Sequence, residues 1–153
     1  MRGIVTNFAN PANNDNAAIG LNQNVLDNPA TSLRIDLPCG VYDPAQARIE
    51  AESVKAICEK YQANDDEVFR TRALIIKEQR AELVKHHLWV LWTDYFKPTH
   101  FEAYPQLHQL FNEATKLAGA VGGKGTVDPA VAQQLLDKIE QIDKIFWETK
   151  AAA

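Results

Sequence analysis

Four histidines, two cysteines and several clustered carboxylates are the residues of this chain best able to do chemistry. His86 and His87 are adjacent, so on a helix their side chains diverge by about 100° and cannot converge on one metal ion. No His-x-x-x-His, Glu-x-x-His or Cys-x-x-Cys spacing occurs, which removes the usual local signatures of zinc sites and carboxylate-bridged di-iron bundles. Taken alone, the four histidines read as packing or surface groups. Glu50, Glu52, Glu78 and Glu82, with Lys77 and Arg80, read as solvated helix faces with partners one turn away. Gly122-Gly123-Lys124-Gly125 follows a helical pattern rather than a strand and lacks the spacing of a phosphate loop, so it reads as a flexible link. The most unusual string is Asp36-Leu37-Pro38-Cys39-Gly40-Val41-Tyr42-Asp43-Pro44, a turn-forming segment with a thiol at its bend. A thiol on a tight loop can ligate a metal, and it can equally be incidental.

The elements that would position these groups are helical. Asp43-Pro44 with Gln46 gives a cap, a proline at the first helical position and a capping-box partner. A helix carrying Ile49, Val54, Ile57 and Tyr61 is expected to follow. Asn64-Asp65-Asp66 caps a second, long helix over about 65–95, in which Phe69, Ile76, Leu83 and Val90 repeat every seven residues. Lys97-Pro98 ends it. Thr99 with Glu102, then Pro105, open a third helix with Leu107, Leu110, Phe111 and Leu117, closed at Gly119. Asp128-Pro129 caps a last helix whose Leu135, Leu136, Ile139, Ile142, Ile145 and Phe146 form an apolar stripe. With no period-two alternation in this region, the pattern predicts an all-α fold, an antiparallel four-helix bundle over residues 35–153.

Residues 1–34 are different. The first thirty-three contain eight asparagines, two prolines and three charges, with no helical or strand period among their few large apolar residues. Such a segment buries too little surface to offset the entropy of ordering it, so it reads as an irregular leader or docking arm for a protein partner. At 153 residues the chain has room for one core of ordinary size. Its formal charge of -4 and pI of about 5.5 have the wrong sign for nucleic-acid binding, and no apolar run is long enough to span a bilayer. Two cysteines make no disulfide scaffold, and no secretion signal is evident, so a cytoplasmic location is expected.

From Asp36 to Glu52 the sequence resembles the start of mature nickel superoxide dismutases. The likeness continues through Ile76-Lys77-Glu78-Gln79-Arg80-Ala81-Glu82-Leu83, Lys85-His86-His87-Leu88, Trp92-Thr93-Asp94-Tyr95-Phe96-Lys97-Pro98 and Gln141 to Lys150, covering about residues 36–150. The resemblance implies a four-helix bundle assembled as a homohexamer. It also implies nickel held in an N-terminal hook, cycling between its divalent and trivalent states to disproportionate superoxide. It assigns Tyr42 and Asp36 to the substrate entrance, Glu50 and Arg80 to orienting the hook's first imidazole, and Cys39 to the metal.

The hook departs from that family pattern. Where the family begins His-Cys-Asp-Leu-Pro-Cys-Gly, this chain reads Arg34-Ile35-Asp36-Leu37-Pro38-Cys39-Gly40. Arg34 brings a cation and Ile35 no donor side chain, so Cys39 is the one retained family ligand side chain. Cys58 is no substitute, standing about 20 Å along the first helix from the hook. The expectation is a degenerate nickel site on an oligomeric structural or interaction protein, with nickel absent or weakly bound. The alternative is an active dismutase with altered ligation through Cys39, supported by Glu50, Arg80, Tyr42 and Lys97.

Overall fold

The computed structural model describes residues 42–152. The chain divides into two units, Met1–Pro38 and Cys39–Ala153, and every described residue belongs to the second. The leader expected over residues 1–34, with Arg34, Ile35, Asp36 and Cys39, lies outside the described residues.

The described chain is all-α. Helix α1 runs Ala45–Gln62, α2 Glu67–Val90, α3 Pro98–Ala103, α4 Leu107–Val121 and α5 Pro129–Ala151, with a π-helical turn Leu91–Tyr95 after α2. Aspartates start three of the long helices, each accepting from an amide that the first turn would leave bare. Asp43 Oδ1 takes the Ala45 N–H at 2.7 Å, Asp66 Oδ1 the Phe69 N–H at 2.6 Å, and Asp128 Oδ1 the Ala130 N–H at 2.8 Å.

Three boundaries differ from the sequence expectation. The α-helical part of the second element ends at Val90, where the hydrogen bonding widens until Phe96 N donates to Leu91 O at 3.1 Å, five residues back. The third element is two helices, because Pro105 keeps Tyr104 out of the helical region, at φ -127° and ψ 75°. Gly119 does not close α4, which runs on to Val121. A Cβ at Gly119 would meet the Lys85 Cε at 3.6 Å, an ordinary contact.

Four long helices form a ring in which α1 packs on α2, α2 on α4, α4 on α5 and α5 on α1. Neighbours are antiparallel, as the contacts Tyr42–His87, Glu50–Arg80 and Arg70–Tyr61 show for α1 and α2. Trp92–His108 and Lys77–Gly122 show the same for α2 and α4.

Inside the ring lie Val54, Val84, Leu88, Leu91, Leu107, Phe111, Leu135, Ile139, Ile142 and Phe146, each almost wholly removed from solvent. Each of the larger side chains contributes about 1.5–3 kcal/mol by burial. The α5 stripe is as expected, with Leu136 at its margin. The α2 stripe is not. Ile76 and Leu83 are exposed, and the inward face is Ala73, Lys77, Ala81, Val84 and Leu88. On α1 likewise Ile49 is exposed, while Ala47, Ala51, Val54 and Cys58 face inward. Alanines let α1 and α2 approach closely, and Ile49, Ile76 and Leu83 are left on the flanks.

Candidate functional site

Tyr42 stands three residues before α1, where Asp43 and Pro44 turn the chain into the helix. That turn carries its phenol across to α2, where Tyr42 Oη lies 3.0 Å from His87 Nδ1 and 3.3 Å from the His87 carbonyl oxygen. Burial and the nearby Asp94 charge push the phenol up to about 12, so it stays protonated at neutral pH. His87 moves the other way: burial, then the neighbouring His86, hold its imidazole below the usual histidine range, with Glu50 opposing. The pair at neutral pH is therefore an uncharged phenol against an uncharged imidazole.

Two turns toward the α2 N-terminus, Arg80 meets Glu50 of α1. Arg80 Nη1 donates to Glu50 Oε2 at 3.1 Å and to Oε1 at 3.2 Å, so both carboxylate oxygens are engaged. The Glu50 side chain is 16% exposed and that of Arg80 45%, placing the ion pair at the rim of the α1/α2 seam. Seven residues separate Arg80 from His87, two turns of one helical face. That face thus presents a guanidinium paired to α1 and an imidazole paired to the residue that leads into α1.

Of the residues expected at the site, the structure pairs Glu50 with Arg80 and, two turns further along α2, sets Tyr42 against His87. Asp36 and Cys39 lie outside the described residues, as do Arg34 and Ile35. Cys58 is fully buried on α1 with its thiol pushed up by burial, and the cation it senses is Lys77. It is remote from Tyr42. Lys97 precedes α3, its backbone N–H donating to His100 Nδ1 at 3.2 Å. Among the described residues no group of three or more His, Cys, Asp or Glu side chains is placed to hold a metal ion.

Sequence reasoning misses two contributors. It reads His87 as a packing or surface group, although the two-turn spacing from Arg80 is a usable signal. Asp94, in the π-helical turn after α2, lies near enough for its charge to act on Tyr42, and no residue pattern announces such a turn.

Comparison with known proteins is consistent in sequence and in fold. The family described as nickel-containing superoxide dismutase matches residues 30–150. The nickel superoxide dismutase of Streptomyces coelicolor is 68% identical over 121 residues, which are 79% of this chain and 91% of the relative. That of Streptomyces seoulensis is 69% identical over the same length and shares. A native nickel superoxide dismutase crystal structure superposes with a TM-score of 0.71 at 69% identity, covering 76% of this chain and 97% of that one. A structure of the enzyme after partial X-ray-induced reduction gives a TM-score of 0.72 at 71% identity, covering the same shares.

Proposed function

This chain belongs to the nickel-containing superoxide dismutase family, and on that premise we propose that it is a member with a degenerate nickel hook, inactive or severely impaired in disproportionating superoxide. The observation that carries this reading is Arg34-Ile35 ahead of Asp36-Leu37-Pro38-Cys39, where the family has its histidine and first cysteine. Trivalent nickel needs strongly donating soft ligands. A guanidinium repels the ion, an isoleucine offers it nothing, and one remaining thiolate does not replace two. The residues present do not fit the metal. The direct Glu50–Arg80 pair supports the same reading, since each group satisfies the other with no imidazole between them.

The remaining role is that of an assembly or interaction protein, a homohexamer built on the retained bundle. Residues 1–34 serve it as an arm for a protein partner, in a cytoplasmic setting that suits the free thiol of Cys58. No helix of the described residues is long and apolar enough to cross a membrane. Nickel titration of the purified full chain tests the proposal. Little or no stoichiometric uptake, no thiolate-to-metal absorption and no dismutase turnover are expected, and one tight site per chain with turnover defeats it.

One observation favours the second reading, an active dismutase converting two superoxide ions and two protons to oxygen and hydrogen peroxide with ligation through Cys39. Tyr42, which the family resemblance assigns to the substrate entrance, keeps an oriented phenol beside His87. The same titration decides between them.

A further inference from the structure

The Tyr42 phenol has one proton and two acceptors within reach, His87 Nδ1 at 3.0 Å and the His87 carbonyl oxygen at 3.3 Å. That carbonyl already receives the Leu91 N–H of the helix. Nδ1 is both the nearer atom and much the stronger base, and a phenol is a stronger acid than a neutral imidazole N–H. The reverse arrangement, Nδ1–H donating to the phenol oxygen, leaves the phenol proton, among protein acceptors, the longer, shared contact with the His87 carbonyl.

We propose that His87 is a positioning residue for Tyr42: its imidazole, bare at Nδ1 and protonated at Nε2, takes the phenol hydrogen bond and leaves the Tyr42 oxygen an acceptor toward whatever approaches it. The groups around the pair agree. Asp94 faces the phenol and opposes its ionisation, His86 beside the imidazole opposes a second proton there, and Glu50 alone pulls the other way. His86 and His87 rings meet edge to face with centroids 5.6 Å apart, which steadies the imidazole plane. A phenol whose proton is committed inward welcomes a species that can donate, such as water, a hydroperoxyl group or hydrogen peroxide, and has no proton to offer a bare anion. The chemical meaning of this rests on Tyr42 being the entrance residue. The proton assignment itself does not depend on nickel.

The test uses the full chain without metal, labelled with ¹⁵N at histidine, with hydrogen peroxide and azide as probes. His87 is expected to show a bare Nδ1 and a protonated Nε2 at neutral pH. Tyr42 is expected to ionise near 12. His87→Ala, which removes the acceptor and admits water, is expected to bring that ionisation down toward the ordinary tyrosine value of about 10. His87→Asn, which returns an amide group near the Nδ1 position, is expected to restore most of the shift. Peroxide is expected to perturb the Tyr42 ring signals more than azide at equal concentration. A protonated Nδ1, an ionisation that ignores both substitutions, or a stronger response to azide each overturns the proposal. Failure of the degenerate-hook reading shows instead as nickel uptake and turnover, with the histidine pattern unchanged.

Discussion

The Lys77 ammonium, on a side chain with no exposed surface, donates to the Thr126 carbonyl oxygen at 2.8 Å, and again to that of Gly122 at 3.2 Å. A lysine on the inner face of α2 thus ties down the loop between α4 and α5. Burial lowers its pKa, and the two carbonyls are what make its charge tolerable there. Lys77→Met keeps the stem volume and removes both bonds. It is expected to cost about 1–3 kcal/mol from the carbonyls left without a donor. Thermal unfolding would record the loss, and limited proteolysis should cut first between residues 122 and 128.

Gly122 is the next constraint on the same loop. A Cβ there would sit 3.0 Å from both the Ala81 Cβ and the Ala118 carbonyl oxygen, neither of which can swing aside, whereas at Gly123 nothing lies within 4 Å. Gly122→Ala should therefore destabilise by about 1–3 kcal/mol through overpacking. Gly123→Ala should fall within about 0.5 kcal/mol of the parent. Equal denaturation midpoints for the two variants would contradict this account of the α2/α4 approach.

Thr115 on α4 carries a buried hydroxyl without a hydrogen-bond partner. Thr115→Val replaces that hydroxyl by a methyl of the same shape and removes its desolvation penalty, with little change in helix propensity. A gain of about 1 kcal/mol is expected in urea unfolding, with an unchanged m-value. A loss would show that the hydroxyl is satisfied in solution.

How much of this is legible in the sequence depends on which physical signal each residue carries. Asp66 and Asp128-Pro129 are readable because capping is local: the acceptor and its amides lie within three residues. The α2 core face is not, because periodicity follows bulky apolar residues, and here the inward positions are Ala73, Lys77 and Ala81 while Ile76 and Leu83 point outward. A buried lysine reads as surface until the carbonyls forty-five and forty-nine residues away are known. At the site, Glu50 and Arg80 are identified through family resemblance, whereas the Tyr42–His87 contact needs the antiparallel register of α1 and α2 to appear.

That contact bears on acid stability. His87 and His100 both titrate below the ordinary histidine value in the folded protein, each chiefly by burial, the second cause being His86 for one and Lys97 for the other. In the unfolded chain they titrate near 6.5. Between that value and the folded values the unfolded state holds more protons, so stability falls as pH drops through this window and is fully present above it. The melting temperature should decline from about pH 7 to pH 5, a range that keeps most carboxylates ionised. His87→Asn should flatten part of that decline, and a parallel slope would mean that His87 is not a contributor.

The hook offers the most decisive comparison. If Arg34 and Ile35 are the whole defect, then Arg34→His with Ile35→Cys, in a chain trimmed to begin at residue 34, returns an amine, an imidazole and a second thiolate while leaving Tyr42, Glu50 and Arg80 untouched. Soft anionic sulfur is the component that brings trivalent nickel within reach, so the two substitutions should act together, each alone yielding little. Stoichiometric nickel, thiolate-to-metal absorption and dismutase turnover are expected only in the trimmed double variant. If it binds nickel but does not turn over, the loss extends beyond the hook, and the Glu50–Arg80 pair is the first place to look. Two groups that now satisfy each other must give up part of that bond to hold a new imidazole, and a partly buried carboxylate yields its partner reluctantly.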